Sequence, residues 1–448
     1  MRRSLAMVIA TTPVLFGVSV ATAEEKTAAQ RGREVMLGRL LTPPDGSARA
    51  YESLWKRWPV KDKPADYTRA VMERYGLHEP PYENQGLPMG LRYGSGILGK
   101  GVGHDCLLCH AGSVAGQSVI GLGNASLDLR GLIEDLLASD GIKLDFSVPL
   151  SAQRGTIEAS AAVVFLMQFR DAELNLQKPA AHTLPSDLCE DVPAWWQLKK
   201  KKTMYHTGTT DARSVRTLMP FLLSPLHSGP AIRQQETAFA DIQAYLLSLE
   251  PPKYPFPIEQ AKAAHGKEIF TVNCAKCHGT YGPDGKYPNK VVPHDVIGTD
   301  RSLAQGVTPE AAEHYLRSWF AQDKGPDTEP YIRRYPTGYQ APPLDGVWAT
   351  APYFHNASVP TVYHVLNSNA RPKVFTRSYR TGKADYDEEK LGWRFTVLEK
   401  GPDPSAPGLE QRKVYDTTRR GRGNGGHTFG DDLTEAERLA VIEYLKTL

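Results

Sequence analysis

Along the chain, apolar residues recur at three- and four-residue steps in several stretches, and each such stretch predicts an amphipathic helix. Residues 127–138 and 259–271 carry the pattern, and within 152–170 it places Ile157, Ala161, Val164, Phe165 and Phe169 on one face. Two further stretches are alike: Ile242, Tyr245, Leu246 and Leu249 in one, and Val441, Tyr444, Leu445 and Leu448 in the other. Thr434 and Glu437 form a capping box ahead of the second, which fixes where that helix starts. The shared Tyr-Leu-x-x-Leu ending predicts two domains of one type.

Between them runs Pro251-Pro252-Lys253-Tyr254-Pro255-Phe256-Pro257, which excludes helix and disfavours strand. It divides the chain into predicted domains at 24–250 and 258–448. A chain of 448 residues is long enough for two sizeable cores. Its 34 prolines and 39 glycines, with Gly, Pro, Tyr and Asn dominating 279–430, predict long loops and short helices there instead of an extended sheet. The expected fold class is therefore mainly α.

The amino terminus reads as a secretory signal: Arg2 and Arg3, an apolar run from Leu5 to Val20, then Ala21-Thr22-Ala23 as the cleavage site. This predicts removal of residues 1–23 and a periplasmic protein without a membrane span. Lys and Arg number 53 against 50 Asp and Glu, which leaves no electrostatic footprint for nucleic acid or an anionic membrane surface.

Four of the five cysteines fall in two Cys-x-x-Cys-His motifs, Cys106-Leu107-Leu108-Cys109-His110 and Cys274-Ala275-Lys276-Cys277-His278. Two thiols three positions apart at a helix start reach the two vinyl groups on one edge of a haem, and the adjacent His lies under the iron. Zinc needs more ligands nearby, and a thioredoxin-type pair needs no following His. Two covalent haem c groups are thus expected, one per domain, with His110 and His278 as proximal ligands. Cys189 is left over and is expected to be buried and inert.

The sixth iron ligand decides the chemistry. A Met raises the potential, a second His lowers it, and an open position admits oxygen or peroxide. All eight methionines lie at or before Met219, so the second haem has no Met in its own domain. His294, His314, His355, His364 and His427 are its candidates. His427 is preferred, because Gly425 and Gly426 allow close approach to a haem face, with His355 next as ligand or neighbouring group. In the first domain Met167, Met204, Met219, His182, His206 and His227 all remain open. The segment from Val192 through Trp195, Trp196 and Tyr205 to Arg213, Arg216 and Phe221 is rich in aromatic and basic residues, and would serve either as a distal pocket wall or as core and solvated surface.

The two motifs, together with Pro343-Leu344-Asp345-Gly346-Val347-Trp348-Ala349-Thr350 and Ala351-Pro352-Tyr353-Phe354-His355-Asn356-Ala357-Ser358-Val359-Pro360-Thr361, resemble the bacterial di-haem cytochrome c peroxidase superfamily, within it the branch of the rubber oxygenases. The likeness runs over about residues 85–448. Ala357 stands where the family signature has Gly. The resemblance implies two cytochrome c-like haem domains close enough to exchange electrons. In the peroxidases one haem stores an electron while the other reduces hydrogen peroxide. In the rubber oxygenases the N-terminal haem binds oxygen and the C-terminal haem is bis-histidine. On this reading the chain exchanges electrons with a small redox protein, acts on hydrogen peroxide or oxygen, and uses Arg213, Arg216 and Phe221 in a pocket beside the first haem. A non-catalytic electron carrier is the remaining reading. Some relatives hold calcium between the domains, but the scattered acidic residues here form no calcium loop.

Overall fold

The computed structural model describes residues 25–96, 99–143, 149–179, 188–325 and 329–448. The expected export segment 1–23 and His182 lie outside them. The longer helices are α1 (Ala28–Gly38), α2 (Leu129–Ser139), α3 (Ala159–Met167), α4 (Glu236–Ser248), α5 (Gln260–Asn273), α6 (Pro309–Arg317) and α7 (Glu435–Leu445). The capping box of Thr434 and Glu437 starts α7 as its spacing requires.

One helix crossing occurs twice. α1 packs on α4, and α5 packs on α7. At the centre of each crossing a glycine lets two backbones touch: a Cβ on Gly32 would fall 1.9 Å from the Asp241 carbonyl oxygen, and one on Gly266 would fall 1.8 Å from that of Ala440. The flanking sequences match, Gly32-Arg33-Glu34-Val35-Met36 against Gly266-Lys267-Glu268-Ile269-Phe270. Met36 and Phe270 are both buried behind the crossing.

The two halves then differ. α5 runs directly into the second Cys-x-x-Cys-His motif, with the Cys274 N–H donating to the Phe270 carbonyl. After α1 the chain instead makes a long excursion through residues 39–105. That excursion has its own apolar cluster of Tyr51, Leu54, Val71, Tyr75 and Val102. Its hairpin pairs Leu91–Gly96 with Gly99–His104, and Gly46–Ser47 adds a third strand.

The expectation of a mainly α chain holds only in part. The fold is mixed, 38% helical and 13% strand. Its strands are two to six residues long and form sheets of two or three. Pieces so short and rich in glycine, such as Leu91-Arg92-Tyr93-Gly94-Ser95-Gly96, show no alternation for a pattern to find. The helix expected over 152–170 is also shorter, beginning only at Ala159. Gly155 takes φ 82° and donates its N–H to Leu127, which bends the chain out of helix ahead of it.

Residues 251–257 form neither helix nor strand, yet they are packed: Trp348 Nε1 donates to the Pro252 carbonyl, and Tyr254 meets Phe256 and Trp348 edge-on. Residues of both halves share one core, where Val114, Leu122 and Trp196 join Phe270, Trp348, Tyr353, Trp393 and Val441. A buried Arg412–Asp128 ion pair at 2.7 Å also links the halves. Among the described residues, no helix is long and apolar enough to cross a membrane.

Candidate haem sites

His278 ends a single helical turn, Ala275–His278, that follows α5. Its Nδ1 donates to the Pro342 carbonyl at 2.9 Å, which fixes the tautomer and leaves Nε2 bare as a ligand atom. Across from it stands His427, with the two ring centres 6.2 Å apart. His278 and His427 would hold the iron of a haem bound here, which would supply one-electron chemistry. Burial lowers the pKa of both imidazoles, that of His427 to about 4, and keeps them in the neutral form that binds metal.

Between the rings lies a cavity with about 230 Å³ open to water centres. Its walls are apolar, with Phe270, Val292, Leu344, Val365 and Val441 among them, and Cys274 and Cys277 stand on its rim. Haem c fits this donor set: two thiols, two facing imidazoles and an apolar slot.

The loop that carries His427 is held by residues far away in sequence. Gly426 (φ 73°) lies so close to Gly298 that a Cβ would come within 2.2 Å of its carbonyl carbon. His427 itself takes φ 46°, and its N–H donates to Ile297 at 2.7 Å. Arg371 donates to the carbonyls of Asn424 and Gly426 at 2.7 Å, His364 at 2.8 Å, and Val365 and His427 at 3.2 Å. Asn356 and Ser358 donate to the Gly421 and Gly423 carbonyls just ahead. The segment Ala351–Ser358 thus braces the loop that bears His427. Ala357 takes φ 59°, a region that favours the Gly of the family signature.

His355, the other ligand candidate, lines the cavity wall but is not the residue facing His278. Its ring lies flat on Tyr339, centres 3.9 Å apart, and its Nε2 is buried with no partner. Burial, reinforced by His206 and His294, drives its pKa well below the ordinary value. His364 bonds to Thr361 Oγ1, His314 to the Arg170 carbonyl, and His294 sits edge-on to Tyr339. None of these three lines the cavity.

The first motif is built differently. Asp105 caps the turn Leu107–His110 through the Leu107 N–H and forms a buried pair with Arg92 at 2.9 Å. Asn124 donates to Leu108 and Gly76, and its own N–H bonds Cys109. The His110 ring stacks on Trp195, centres 4.5 Å apart, and burial lowers its pKa to about 4. Its Nδ1 is buried outside hydrogen-bonding geometry, with the Pro193 carbonyl nearby.

Neither this cavity nor a second one between α3 and α6 is lined by Cys106, Cys109 or His110. Of the ligand candidates in this half, Met219 and Met167 are in the core and Met204 is half-buried at its edge. His227 bonds the Leu222 carbonyl, and His206 Nε2 the Asp191 carbonyl. The distal-wall arginines are engaged elsewhere: Arg216 pairs with Glu236 at 2.7 Å and covers Trp319, while Arg213 pairs with Asp211 at 2.9 Å. Of the three expected pocket residues, Phe221 lines the second cavity, and Arg213 and Arg216 line neither of these two. Cys189 is buried, as its sequence context suggested, beside Thr156.

Residues 338–376 match a family model described as RoxA-like, cytochrome c-like. That segment includes the signature histidine His355 and the brace residue Arg371. Among curated proteins, uncharacterized protein y4iM of Sinorhizobium fredii (strain NBRC 101917 / NGR234) is 29% identical over 301 residues, 57% of this chain and 64% of the relative. Uncharacterized protein y4iJ of the same strain is 38% identical over 123 residues, 25% of this chain and 18% of the relative. The chain thus spans less than two thirds of the length of the curated relatives it matches. A solved structure of Kuenenia stuttgartiensis hydrazine synthase, pressurized with 20 bar xenon, aligns with 68% of this chain and 90% of its own, at 14% identity and a TM-score of 0.29. By the match over residues 338–376 the chain contains a cytochrome c-like domain, and its second Cys-x-x-Cys-His motif stands at a cavity whose residues fit haem c.

Proposed function

We propose that this chain is an exported periplasmic oxidoreductase with two haem c groups in domains 24–250 and 258–448, which reduces hydrogen peroxide with electrons from a small redox protein. The observation that carries this reading is the facing pair His278 and His427 at 6.2 Å, which closes the C-terminal site on both sides. Haem bound there supplies reversible one-electron chemistry, while an iron with one open position supplies activation of peroxide or oxygen. In this reading Pro342 orients His278, Arg371 and Asn356 hold the loop of His427, and the apolar walls exclude water from the C-terminal site. The reactive position is then assigned to the side of His110, whose ring stacks on Trp195 and has no histidine ring against it among the described residues. Since Arg213 and Arg216 are committed to carboxylates, the proposal gives them no part in the reaction.

The RoxA-like match over 338–376 favours a second reading, an oxygenase that activates dioxygen toward an organic substrate. Rates measured on the haem-loaded protein separate the two. Peroxide-dependent oxidation of a reduced small cytochrome supports the first. Oxygen uptake that requires an organic substrate, with no peroxide turnover, supports the second. Neither activity leaves a carrier.

A further inference from the structure

The second cavity lies between α3 and α6 and is floored by Tyr205 and His206. Helix α3 reads Ala-Ser-Ala-Ala-Val-Val-Phe-Leu-Met, apolar on every side, yet only Ala161 and Met167 of it are fully buried. A helix that is apolar all round normally lies in a core. Here Ala159, Val163 and Val164 face the cavity instead, opposite Ala312, Tyr315 and Leu316 of α6. The space open to water centres is about 170 Å³. A dry apolar cavity of about 150 Å³ is known to hold one benzene ring.

The polar groups on this cavity are few, and two of them are buried without partners. Arg333 has a side chain only 9% exposed, gives its Nη2 to Asp323 at 2.8 Å, and keeps its Nε buried with no partner. Thr210 Oγ1 is likewise buried with no partner on the cavity wall. Arg334 stands exposed at the rim, bonds the Gly208 carbonyl through Nε, and forms no ion pair among the described residues. The one carboxyl on the cavity, Glu190, is taken by the Ser160 N–H and hydroxyl, and burial raises its pKa. Asp323 offsets one guanidinium, and the buried Nε of Arg333 and hydroxyl of Thr210 remain without partners beside an apolar slot.

We propose that this slot binds a small apolar carboxylate, a single-ring aromatic or short branched acid, whose body lies between α3 and α6 and whose carboxylate meets Arg333 Nε and Arg334. A neutral hydrocarbon leaves both donors unpaired, and a small hydrophilic anion leaves the walls wet. The site shares only His206 with the haem cavity, so the inference does not rest on the oxidoreductase reading.

The test is calorimetric titration of the full haem-loaded protein with benzoate, benzyl alcohol and acetate. Benzoate is expected to bind with one site per chain, and the other two at least ~10-fold more weakly. Ala312→Phe fills the slot and is expected to abolish benzoate binding. Arg334→Gln, at an exposed position that leaves folding intact, is expected to weaken it by about threefold or more. Circular dichroism and haem content confirm that each variant is folded. Equal binding of benzoate and benzyl alcohol, benzoate binding that survives Ala312→Phe, or no heat at millimolar benzoate would each overturn the proposal. None of these outcomes depends on peroxide or oxygen turnover, so the slot and the redox reading stand or fall separately.

Discussion

Replacing Arg371 by Met removes the brace of the His427 loop while keeping the apolar stem. Its guanidinium makes five hydrogen bonds to carbonyl oxygens, three of them into residues 424–427. A hydrogen bond from a charged donor contributes about 1.5–3 kcal/mol, so the simple sum would be about 7–15 kcal/mol. Two effects reduce it. The loop carbonyls are half-exposed and recover water, and burial has already lowered the Arg371 pKa to about 10, a desolvation cost that its removal returns. The net expectation is about 3 kcal/mol, concentrated in the loop. Differential scanning calorimetry reads the global part, and carbon monoxide binding to the reduced protein reads the local part. Arg371→Met is expected to lower Tm and to let carbon monoxide reach a haem that the wild type protects, with Arg371→Lys intermediate. If Arg371→Met unfolds at the wild-type temperature and binds no additional carbon monoxide, the loop is not held in the way described.

Three other expectations follow. The double substitution Cys274→Ala/Cys277→Ala should reduce the pyridine haemochrome count from about two haems per chain to about one, and an unchanged count would remove the second site. Ala357→Gly should change stability by less than about 0.5 kcal/mol, because relief of left-handed strain (about 1–2) is offset by glycine entropy (about 0.5–1) and a lost buried methyl (about 0.8). Urea unfolding that shows a loss above about 1.5 kcal/mol would mean that the methyl packs better than this reckoning allows. His104 pairs with Asp45 at 2.7 Å, which raises its pKa to about 9. A raised folded pKa gives stability that is full below about pH 6.5 and lost as the pH climbs through about 9. With a side chain 41% exposed, screening leaves the pair about 1 kcal/mol, so wild type minus His104→Gln should shrink by that amount between about pH 6 and 10. A difference independent of pH would refute it.

The two Cys-x-x-Cys-His motifs and both closing helices were legible because each is a local pattern, the helices through the three- and four-residue apolar step of 242–249 and 441–448. The facing position of His427 was also legible, from the glycines before it and the lack of methionine beyond Met219. Its brace was not, since Arg371 reaches carbonyls more than fifty positions away and no local spacing records that. The twin helix crossings left a signal that pattern reading passed over, the pentapeptides at Gly32 and Gly266. The excursion 39–105 separates α1 from its motif and hides the likeness. Arg213 and Arg216 were drawn into a pocket by composition alone, when nearby carboxylates had a stronger hold on them. The second cavity was illegible because it is assembled from α3, α6 and residues 205–210 and 333–336, which meet only in the folded chain.

The most direct test of the central claim, that His278 and His427 close one iron, is optical titration of the reduced protein with carbon monoxide, in wild type and His427→Ala. The expected result is a Soret shift in about half of the haem of the wild type and in nearly all of the haem of His427→Ala. Identical titrations of the two proteins would contradict the assignment of His427, and no shift in the wild type would leave electron transfer without an open iron.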